Sequence, residues 1–273
     1  MLGLILPKMA VPASEYRKVF GDAQLPGGAA PYGNFPDYSR FHPPEGRIQL
    51  LPSALLSKLF PNPRAKPLLG LDVGCNSGEL SIALYRHLLG LQESQACQEH
   101  LNELRLLCCD IDAGLIERAS QQSPFPASIS YATVDIMDPD ARETLLSSYL
   151  GRFGRSTFDI AFCMSVTMWI HLNHGDCGLV TFLSYLASKC AYLLLEPQPW
   201  KCYRSAARRL RKLGRHDFDH FRSLAINGNV VERITEILTT DCAMELVSFF
   251  GNTSWDRSLL LFKSKEAKHL GCD

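Results

Sequence analysis

The feature that most limits the folds this chain can adopt is its first apolar strand, which is followed directly by a glycine turn. The segment Leu68–Val73 is typical of a buried strand, and Gly74 and Gly78 bracket the turn that follows it. A helix is predicted at residues 79–89. In open α/β sheets, ligands bind at the carboxyl ends of strands, beside turns of this kind. We therefore expect the binding site of this chain beside residues 74–78.

The rest of the chain alternates apolar strands with helices. Further strands are predicted at residues 104–109, 129–134, 158–163, 191–195, 245–250 and 259–263. Helices are predicted from Ser53 onward and at residues 113–121, 142–149, 176–189, 201–213 and 231–239. This alternation is typical of a parallel sheet covered on both faces, and the short link 251–257 requires an antiparallel final strand. We predict an α/β, Rossmann-like domain with a mostly parallel seven-stranded sheet.

Composition divides the chain into three parts. Residues 1–47 are rich in proline and glycine and predict an arm without regular structure, residues 48–265 form the domain, and residues 266–273 form a C-terminal tail. Aromatic residues are dense near the end of the arm, more so than in a solvated linker. They are Tyr32, Phe35, Tyr38 and Phe41. This end of the arm either packs on the domain surface or contacts a substrate.

Charge and cysteine usage limit the partners and the compartment. The 28 Lys and Arg residues balance 28 Asp and Glu residues, so a polyanion must be held by a local patch. The ten cysteines form no C-x-x-C pair, and Cys108, Cys109 and Cys163 lie in apolar runs, which favours reduced thiols. No apolar run approaches the roughly 18 residues of a membrane-spanning helix, and the N-terminus has no basic start of a signal peptide. We expect a soluble protein of a reducing compartment, with no membrane partner.

Acidic residues accompany the ends of three predicted strands. Asp72 precedes Gly74, where it would repel a pyrophosphate, and Asn76 replaces a glycine in a turn that lacks the dinucleotide spacing. S-adenosylmethionine, which is cationic and carries an amino group, fits this turn better than NAD. Asp110 and Asp135 close the next two strands, where carboxylates can reach the ribose hydroxyls and the adenine amino group. For each acid taken alone, a helix cap or a turn role stays open.

A basic stripe is predicted on the helix that begins near residue 201. At about 100° per residue, six basic residues fall within roughly a 100° arc. They are Lys201, Arg204, Arg208, Arg211, Lys212 and Arg215, and the opposite face carries Tyr203, Ala206, Leu210 and Leu213. A stripe of this kind suits the backbone of RNA or DNA. An ordinary solvated face and a nuclear-localisation-like run at residues 208–212 stay open as alternatives.

Neither metal chemistry nor a catalytic base is indicated. The histidine pairs His171 with His174 and His216 with His220 lack further ligands at a known spacing, so we predict no metal site. No order of Ser, His and Asp or of Cys and His marks a nucleophile. Methyl transfer needs none, and we expect no general base.

Six segments of the chain together carry a resemblance to a known family. They are Tyr32–Phe35, Leu71–Gly78, Cys109–Asp112, Ser165–His171, Glu196–Tyr203 and Gly251–Arg257. In these segments the chain closely resembles the bicoid-interacting RNA methyltransferases, and within that family the cytoplasmic branch. The resemblance spans about residues 9–265, which implies that residues 1–8 are additional to the family's usual start. It implies the class I S-adenosylmethionine-dependent methyltransferase fold.

The resemblance also implies a function and a set of site residues. The family methylates the 5′ phosphate of small RNAs, and its cytoplasmic branch acts on the 5′ monophosphate of precursor microRNA (pre-miRNA) and histidine tRNA. The implied cofactor contacts are Arg47, Asn76, Asp110, Asp135, Ile136 and Met164, with Asp72, Gly74 and Gly78 in the turn. The implied RNA contacts are Tyr32, Asn34, Trp200 and Lys201, and the stripe adds Arg204, Arg208, Arg211 and Lys212.

Two other classes of function stay open at this point. One is a non-catalytic RNA-binding protein on a methyltransferase fold, and the other is methylation of a protein or a small molecule. RNA-processing proteins are a further class of partner that the resemblance suggests.

Overall fold

Seven strands form one sheet in the order β3-β2-β1-β4-β5-β7-β6. The computed structural model describes residues 31–53, 55–61, 66–91 and 103–266. The strands are β1 Leu68–Val73, β2 Leu104–Asp110, β3 Ile129–Thr133, β4 Phe158–Met164, β5 Cys190–Glu196, β6 Met244–Asn252 and β7 Ser258–Ser264. The pairs among β1 to β5 are parallel, whereas β7 is antiparallel to both β5 and β6. The predicted seven-stranded sheet with its antiparallel last strand is confirmed.

Helices connect the strands over both faces of the sheet. They are α1 Tyr38–Phe41, α2 Glu45–Ile48, α3 Leu55–Leu59, α4 Glu79–Leu88, α5 Ala113–Gln122, α6 Pro139–Gly151, α7 Thr167–Lys189, α8 Trp200–Lys212 and α9 Val230–Glu236, and α9 continues as a π-helical turn, Ile237–Asp241. Within the described ranges, no helix is both long and apolar enough to cross a bilayer.

The structure differs from the predicted helices at two places and from the predicted arm at a third, for identifiable reasons. Helix α6 begins earlier than predicted because the Asp138 side chain caps it and Pro139 fits its first turn. Helix α7 consists of two helical segments that meet at a kink at Gly175, whose backbone, at φ +69° and ψ −174°, is not helical. The second segment is the helix predicted at residues 176–189, and the first, which begins at Thr167, was not predicted. The end of the arm is not free of regular structure, since it forms the single turns of α1 and α2. Residues 1–30 and the tail from 267 lie outside the described residues.

The core lies in two layers, one on each face of the sheet. Leu69 and Leu71 of β1 face one layer, whereas Leu68 of the same strand and Leu106 of β2 face the other. Every residue of β1 and β4 is buried, as expected for central parallel strands covered on both faces. The cysteines predicted to pack as small hydrophobes, at positions 108, 109 and 163, are all buried. The polar features of the sheet are therefore concentrated at the strand ends.

The turn after β1 is held against β2 by its backbone. The amides of Gly74 and Cys75 both donate to the carbonyl of Cys109, at 2.8 and 3.1 Å. Gly74 has φ +74°, and a Cβ atom there would lie 2.4 Å from Cγ2 of Val166. Gly78, at φ +84°, is the N-cap of α4. The two glycines thus serve the tight turn and the close helix entry that their spacing predicts.

Substituting Gly74→Ala should lower the free energy of unfolding. A left-handed backbone costs a non-glycine residue about 1–2 kcal/mol, and the contact with Val166 adds to this. The measurement is denaturant unfolding, with Gly151→Ala as the control. Gly151 is at the end of α6 with no atom within 4 Å of a Cβ, so alanine there should be neutral or stabilising by up to about 1 kcal/mol. Equal losses of stability in both variants would contradict this account of the turn.

Candidate functional site

A cleft lies at the carboxyl ends of the parallel strands, with about 760 Å³ of empty space when the part open to solvent is included. Six of the predicted cofactor residues line it, namely Gly74, Asn76, Asp110, Asp135, Ile136 and Met164. Tyr32 and Asn34 of the arm line it as well. The fold therefore brings the ends of β1 to β4 and the arm together around one cavity.

Asp110 ends β2 with both carboxylate oxygens oriented by backbone amides. Its Oδ2 accepts from the amide of Asn76 at 2.9 Å, and its Oδ1 accepts from the amide of Asp112 at 3.0 Å. Burial raises the pKa of Asp110, and these two amide bonds act in the opposite direction. A carboxylate oxygen has two lone pairs, so each oxygen can still accept one hydroxyl group of a ligand.

Asp135 follows β3 and is held in a local turn. Its Oδ1 accepts from the amide of Met137 at 2.9 Å, and no described residue donates to its other oxygen. The adjacent Val134 and Ile136 are buried apolar residues that also line the cleft. This part of the cleft combines an acceptor with an apolar surface, which suits a planar base that carries an amino group.

Asn76 connects the turn to the arm. Its backbone is left-handed, at φ 52°, a region that asparagine tolerates better than most residues. Its Nδ2 donates to the carbonyl of Phe35 at 3.0 Å, and its Oδ1 accepts from the amide of Ser77 at 2.8 Å. The residue that replaces the middle glycine of the turn thus binds the arm over the cleft.

The arm packs closely over the cleft. Asn34 Nδ2 donates to Asp112 Oδ2 at 2.8 Å, while Asn34 Oδ1 is buried without a hydrogen-bond partner among the described residues. A Cβ atom on Gly33 would lie 2.1 Å from the indole nitrogen of Trp169. Asn173 on α7 donates to the carbonyl of Pro31 at 2.9 Å. The end of the arm therefore packs on the domain, which is one of the two alternatives that the sequence left open. Some of the packed residues form part of the cleft wall.

A buried ion pair joins the arm to the sheet. Arg47 on α2 is 1% exposed, and its Nη2 lies 2.8 Å from Oε2 of Glu196, the last residue of β5. Ser165 Oγ donates to the same carboxylate oxygen, and Trp255 Nε1 donates to the other at 3.0 Å. Arg47 does not itself line the cleft, because its guanidinium is directed to Glu196.

Arg257 brings a second guanidinium group to the same place. Its Nη1 donates to the hydroxyl oxygens of Tyr38 at 2.9 Å and Ser165 at 2.6 Å. Arg47 Nη2 donates to the same two oxygens, at 3.1 and 3.2 Å. Tyr38 and Ser165 line the cleft, so two cations stand directly behind its wall. We refer to Tyr38, Arg47, Ser165, Glu196 and Arg257 as the arginine cluster.

Asp72 and Gly78, predicted in the turn, do not line the cleft. Asp72 is 2% exposed and accepts from Ser81 Oγ at 2.6 Å. Burial raises the pKa of Asp72 to about 6, and the hydrogen bond from Ser81 opposes this shift. The position of Asp72 is that of a residue that fixes α4 to β1 beneath the turn.

The predicted RNA contacts on α8 lie outside the cleft. Trp200 stacks on Phe221 with ring centroids 5.5 Å apart, and Lys201 pairs with Asp256 at 2.6 Å. Arg211 pairs with Asp217 at 2.8 Å. Three further basic residues of the stripe are exposed, namely Arg204, Arg208 and Lys212.

The buried face of α8 largely follows the prediction. Tyr203, Ala206 and Leu210 are buried, but the placement of Leu213 on that face is wrong. Leu213 is 38% exposed because α8 ends at Lys212 and the chain leaves the helix there. Arg209, which is outside the predicted arc, lies 4.7 Å from the ring centroid of Phe35 and so connects α8 to the arm.

Some residues of the cleft are not predicted as site residues by the sequence. They include Tyr38, Ser165, Trp169 and His174. The family segment 165–171 and the aromatic residues of the arm contain three of them, but neither feature indicates which side chains face a ligand. His174 belongs to one of the two histidine pairs noted in the sequence. The other member of that pair, His171, forms hydrogen bonds with Tyr203 and Asp176, at 3.1 and 2.9 Å. Over the residues with assigned structure, no cluster of three potential metal ligands occurs.

The chain is similar to known methyltransferases in sequence. A family model described as bicoid-interacting protein 3 (Bin3) matches residues 158–264. The RNA 5′-monophosphate methyltransferase of Bos taurus is 65% identical over 241 residues, which cover 88% of this chain and 82% of that protein. The pre-miRNA 5′-monophosphate methyltransferase of Xenopus laevis is 63% identical over 241 residues, covering 86% of this chain and 93% of the relative. This chain belongs to the Bin3 family of RNA methyltransferases. The predicted family is confirmed.

The Bin3 match runs from β4 to β7 and therefore includes Ser165, Glu196 and Arg257 of the arginine cluster. In fold, the chain is similar to the magnesium protoporphyrin IX methyltransferase of Synechocystis PCC 6803, solved with bound S-adenosylhomocysteine (SAH). The TM-score is 0.50 at 18% identity, with 92% of this chain and 93% of that chain covered. The predicted class I methyltransferase fold is confirmed.

Substituting His42→Phe should make stability less dependent on pH. Burial, together with the charges of Arg257 and Arg47, lowers the pKa of His42 from 6.5 to about 4. Between these values the unfolded chain binds more protons than the folded one, so wild-type stability falls as pH decreases from about 6.5 to about 4. We expect a smaller fall in the variant when the free energy of unfolding is measured across this window. The exposed His216, changed to Phe, is the control that should behave like the wild type. An unchanged slope for His42→Phe would contradict the assignment.

Proposed function

We propose that this chain transfers a methyl group from S-adenosylmethionine to the 5′ monophosphate of a small RNA. The observation that carries the proposal is the single cleft in which the carboxylates of Asp110 and Asp135 face residues of the arm. Membership of the Bin3 family, whose relatives are named for this reaction, gives the substrate class. Methyl transfer to a different acceptor would use the same cofactor-binding residues but a different substrate.

The residues at the ends of β1 to β4 fit the cofactor. Asp110 can accept the ribose hydroxyls with the lone pairs left by its two backbone amides, and Asp135 can accept from an adenine amino group. Ile136 and Met164 offer apolar contacts, and the glycine at position 74 leaves room for close approach at the turn. When bound, S-adenosylmethionine supplies a methyl group activated by its sulfonium centre.

The chain has to position the acceptor rather than deprotonate it. A phosphate monoester has a second pKa of about 6, so its oxygens are largely ionised at pH 7 and need no general base. The residues around the cleft must then orient one oxygen, exclude water and balance the remaining charge. Tyr32 and Asn34 lie in the arm over the cleft and are suited to this orientation.

The finer proposals concern the RNA and the compartment. We propose precursor microRNA and histidine tRNA as substrates, and the cytoplasm as the place of action. The eight cysteines in the described part of the chain are all free thiols, and five of them are buried, which supports a reducing compartment. RNA-processing proteins are proposed as further partners.

Methyl transfer should depend on the 5′ phosphate and on Asp110. With S-adenosylmethionine labelled in its methyl group, we expect label on 5′-monophosphorylated RNA and none on the same RNA with a 5′ hydroxyl. Asp110→Ala should weaken SAH binding by tenfold or more in calorimetry, because it removes the ribose acceptor. The matched control is Asp140→Ala, an exposed acid on α6. Label on the 5′-hydroxyl RNA, or no label on either, would remove the proposal.

Reversing charges on α8 should weaken RNA binding. Arg208→Glu with Lys212→Glu changes two exposed cations, so KM for RNA should rise. The plot of log affinity against log salt should become shallower, with the magnitude of its slope reduced by about 1.4–1.8. Lys58→Glu with Arg152→Glu, two exposed cations on other elements, is the matched control. If the two double variants have equal KM values, the stripe is an ordinary solvated face.

A further inference from the structure

The hydroxyl of Tyr38 is arranged to donate a hydrogen bond that no described residue accepts. Its oxygen accepts from Arg47 Nη2 at 3.1 Å and from Arg257 Nη1 at 2.9 Å. A phenolic oxygen has limited acceptor capacity, and two charged donors occupy it. The hydroxyl proton must therefore point away from the guanidinium groups. Tyr38 lines the cleft, so a ligand in the cleft is the available acceptor.

The neighbouring hydroxyl of Ser165 differs in this respect. It accepts from the same two arginines but donates to the carboxylate of Glu196. Its proton is therefore already in use. Of the two hydroxyls in the arginine cluster, that of Tyr38 alone keeps a proton for a ligand.

The cluster carries a net positive charge. It contains two guanidinium groups and one carboxylate, and the adjacent His42 is neutral near pH 7, since burial and the arginines lower its pKa to about 4. Arg257 is 8% exposed, and its Nε is buried without a hydrogen-bond partner among the described residues. A buried excess of one positive charge is costly unless an anion approaches it.

The position of the cluster in the sheet distinguishes two anions. The carboxylates that fit the cofactor end β2 or follow β3, on one side of β1. Ser165 follows β4, Glu196 ends β5 and Arg257 precedes β7, all on the other side of β1. A cationic methyl donor is attracted to the first side and repelled from the second. The second side suits the negatively charged acceptor.

We propose that the Tyr38 hydroxyl donates a hydrogen bond to a non-bridging oxygen of the RNA 5′ phosphate, held and polarised by Arg47 and Arg257. The proposal rests on the proposed function, because it takes a 5′ phosphate as the acceptor. A hydrogen bond to an ionised group is stronger than one between neutral groups. The Tyr38 hydroxyl also separates the guanidinium groups from the phosphate. The attacking oxygen therefore keeps more of its negative charge than it would in a direct ion pair with an arginine.

The test is a cycle of binding measurements with Tyr38→Phe, which removes only the hydroxyl. Affinities for one RNA oligonucleotide with a 5′ monophosphate and with a 5′ hydroxyl are measured for wild type and variant, with SAH present at saturation. We expect the wild type to bind the monophosphate more tightly than the 5′-hydroxyl oligonucleotide. In the variant, the ratio of these two affinities should fall about tenfold. Binding of the 5′-hydroxyl oligonucleotide should change by less than twofold.

The variant should fold, because both arginines keep other acceptors. Arg47 retains Glu196 and Arg257 retains Ser165. Tyr192→Phe is the matched control, since it removes a phenolic hydroxyl from β5 outside the cleft lining. Its ratio of the two affinities should equal that of the wild type, and thermal unfolding of both variants checks the fold.

Each other outcome overturns the inference in a recognisable way. An unchanged ratio in Tyr38→Phe shows that the hydroxyl does not contact the 5′ phosphate. An unchanged ratio with weaker SAH binding assigns the hydroxyl to the carboxylate of the cofactor instead. Equal loss of affinity for both oligonucleotides indicates a structural role. A wild-type ratio near one removes the proposed function itself and the inference with it, whereas the first three outcomes leave the proposed function standing.

Discussion

The buried contact between Arg47 and Glu196 is the interaction on which the rest of the site depends. It connects the arm to the end of a central strand across 149 positions of sequence, and both side chains are almost completely removed from water. A buried charge left without its partner costs roughly 3–5 kcal/mol, so neither residue can be lost alone without a large effect. Tyr38 and Ser165 take their orientation from this pair and from Arg257. The cleft wall is therefore set by charges that lie behind it.

The two sides of the cleft differ in charge, and this difference matches the two substrates of a methyl transfer to phosphate. Carboxylates lie at the ends of β2 and β3, where a cationic donor is stabilised. Guanidinium groups stand behind the wall next to β4, β5 and β7, where an anionic acceptor is stabilised. Opposite charges placed on opposite sides bring the two reactants in from different directions. Such positioning contributes to catalysis without any proton transfer.

Much of the fold could be predicted from the sequence, because apolar runs and glycine turns are local signals. The strands, the antiparallel last strand and the acids at the strand ends follow from spacing alone. The pairing of Arg47 with Glu196 has no local signal, since it depends on where the fold places α2 relative to the end of β5. Gly175 interrupts α7 with a non-helical backbone, so the helix after it could be predicted, whereas the segment that begins at Thr167 was missed. Tyr38 is visible as one aromatic residue among several, and only the structure shows which hydroxyl lies between two arginines.

The reversed direction of β7 determines which residues can reach the cleft. A parallel strand presents its last residues at the ligand-binding edge, whereas an antiparallel strand presents its first residues there. The link between β6 and β7 therefore delivers Trp255, Asp256 and Arg257 to the same edge as the ends of β4 and β5. A seventh strand running the other way would have placed these side chains at the opposite rim, with no cation to complement Arg47. The topology of one edge hairpin thus supplies half of the positive charge at the site.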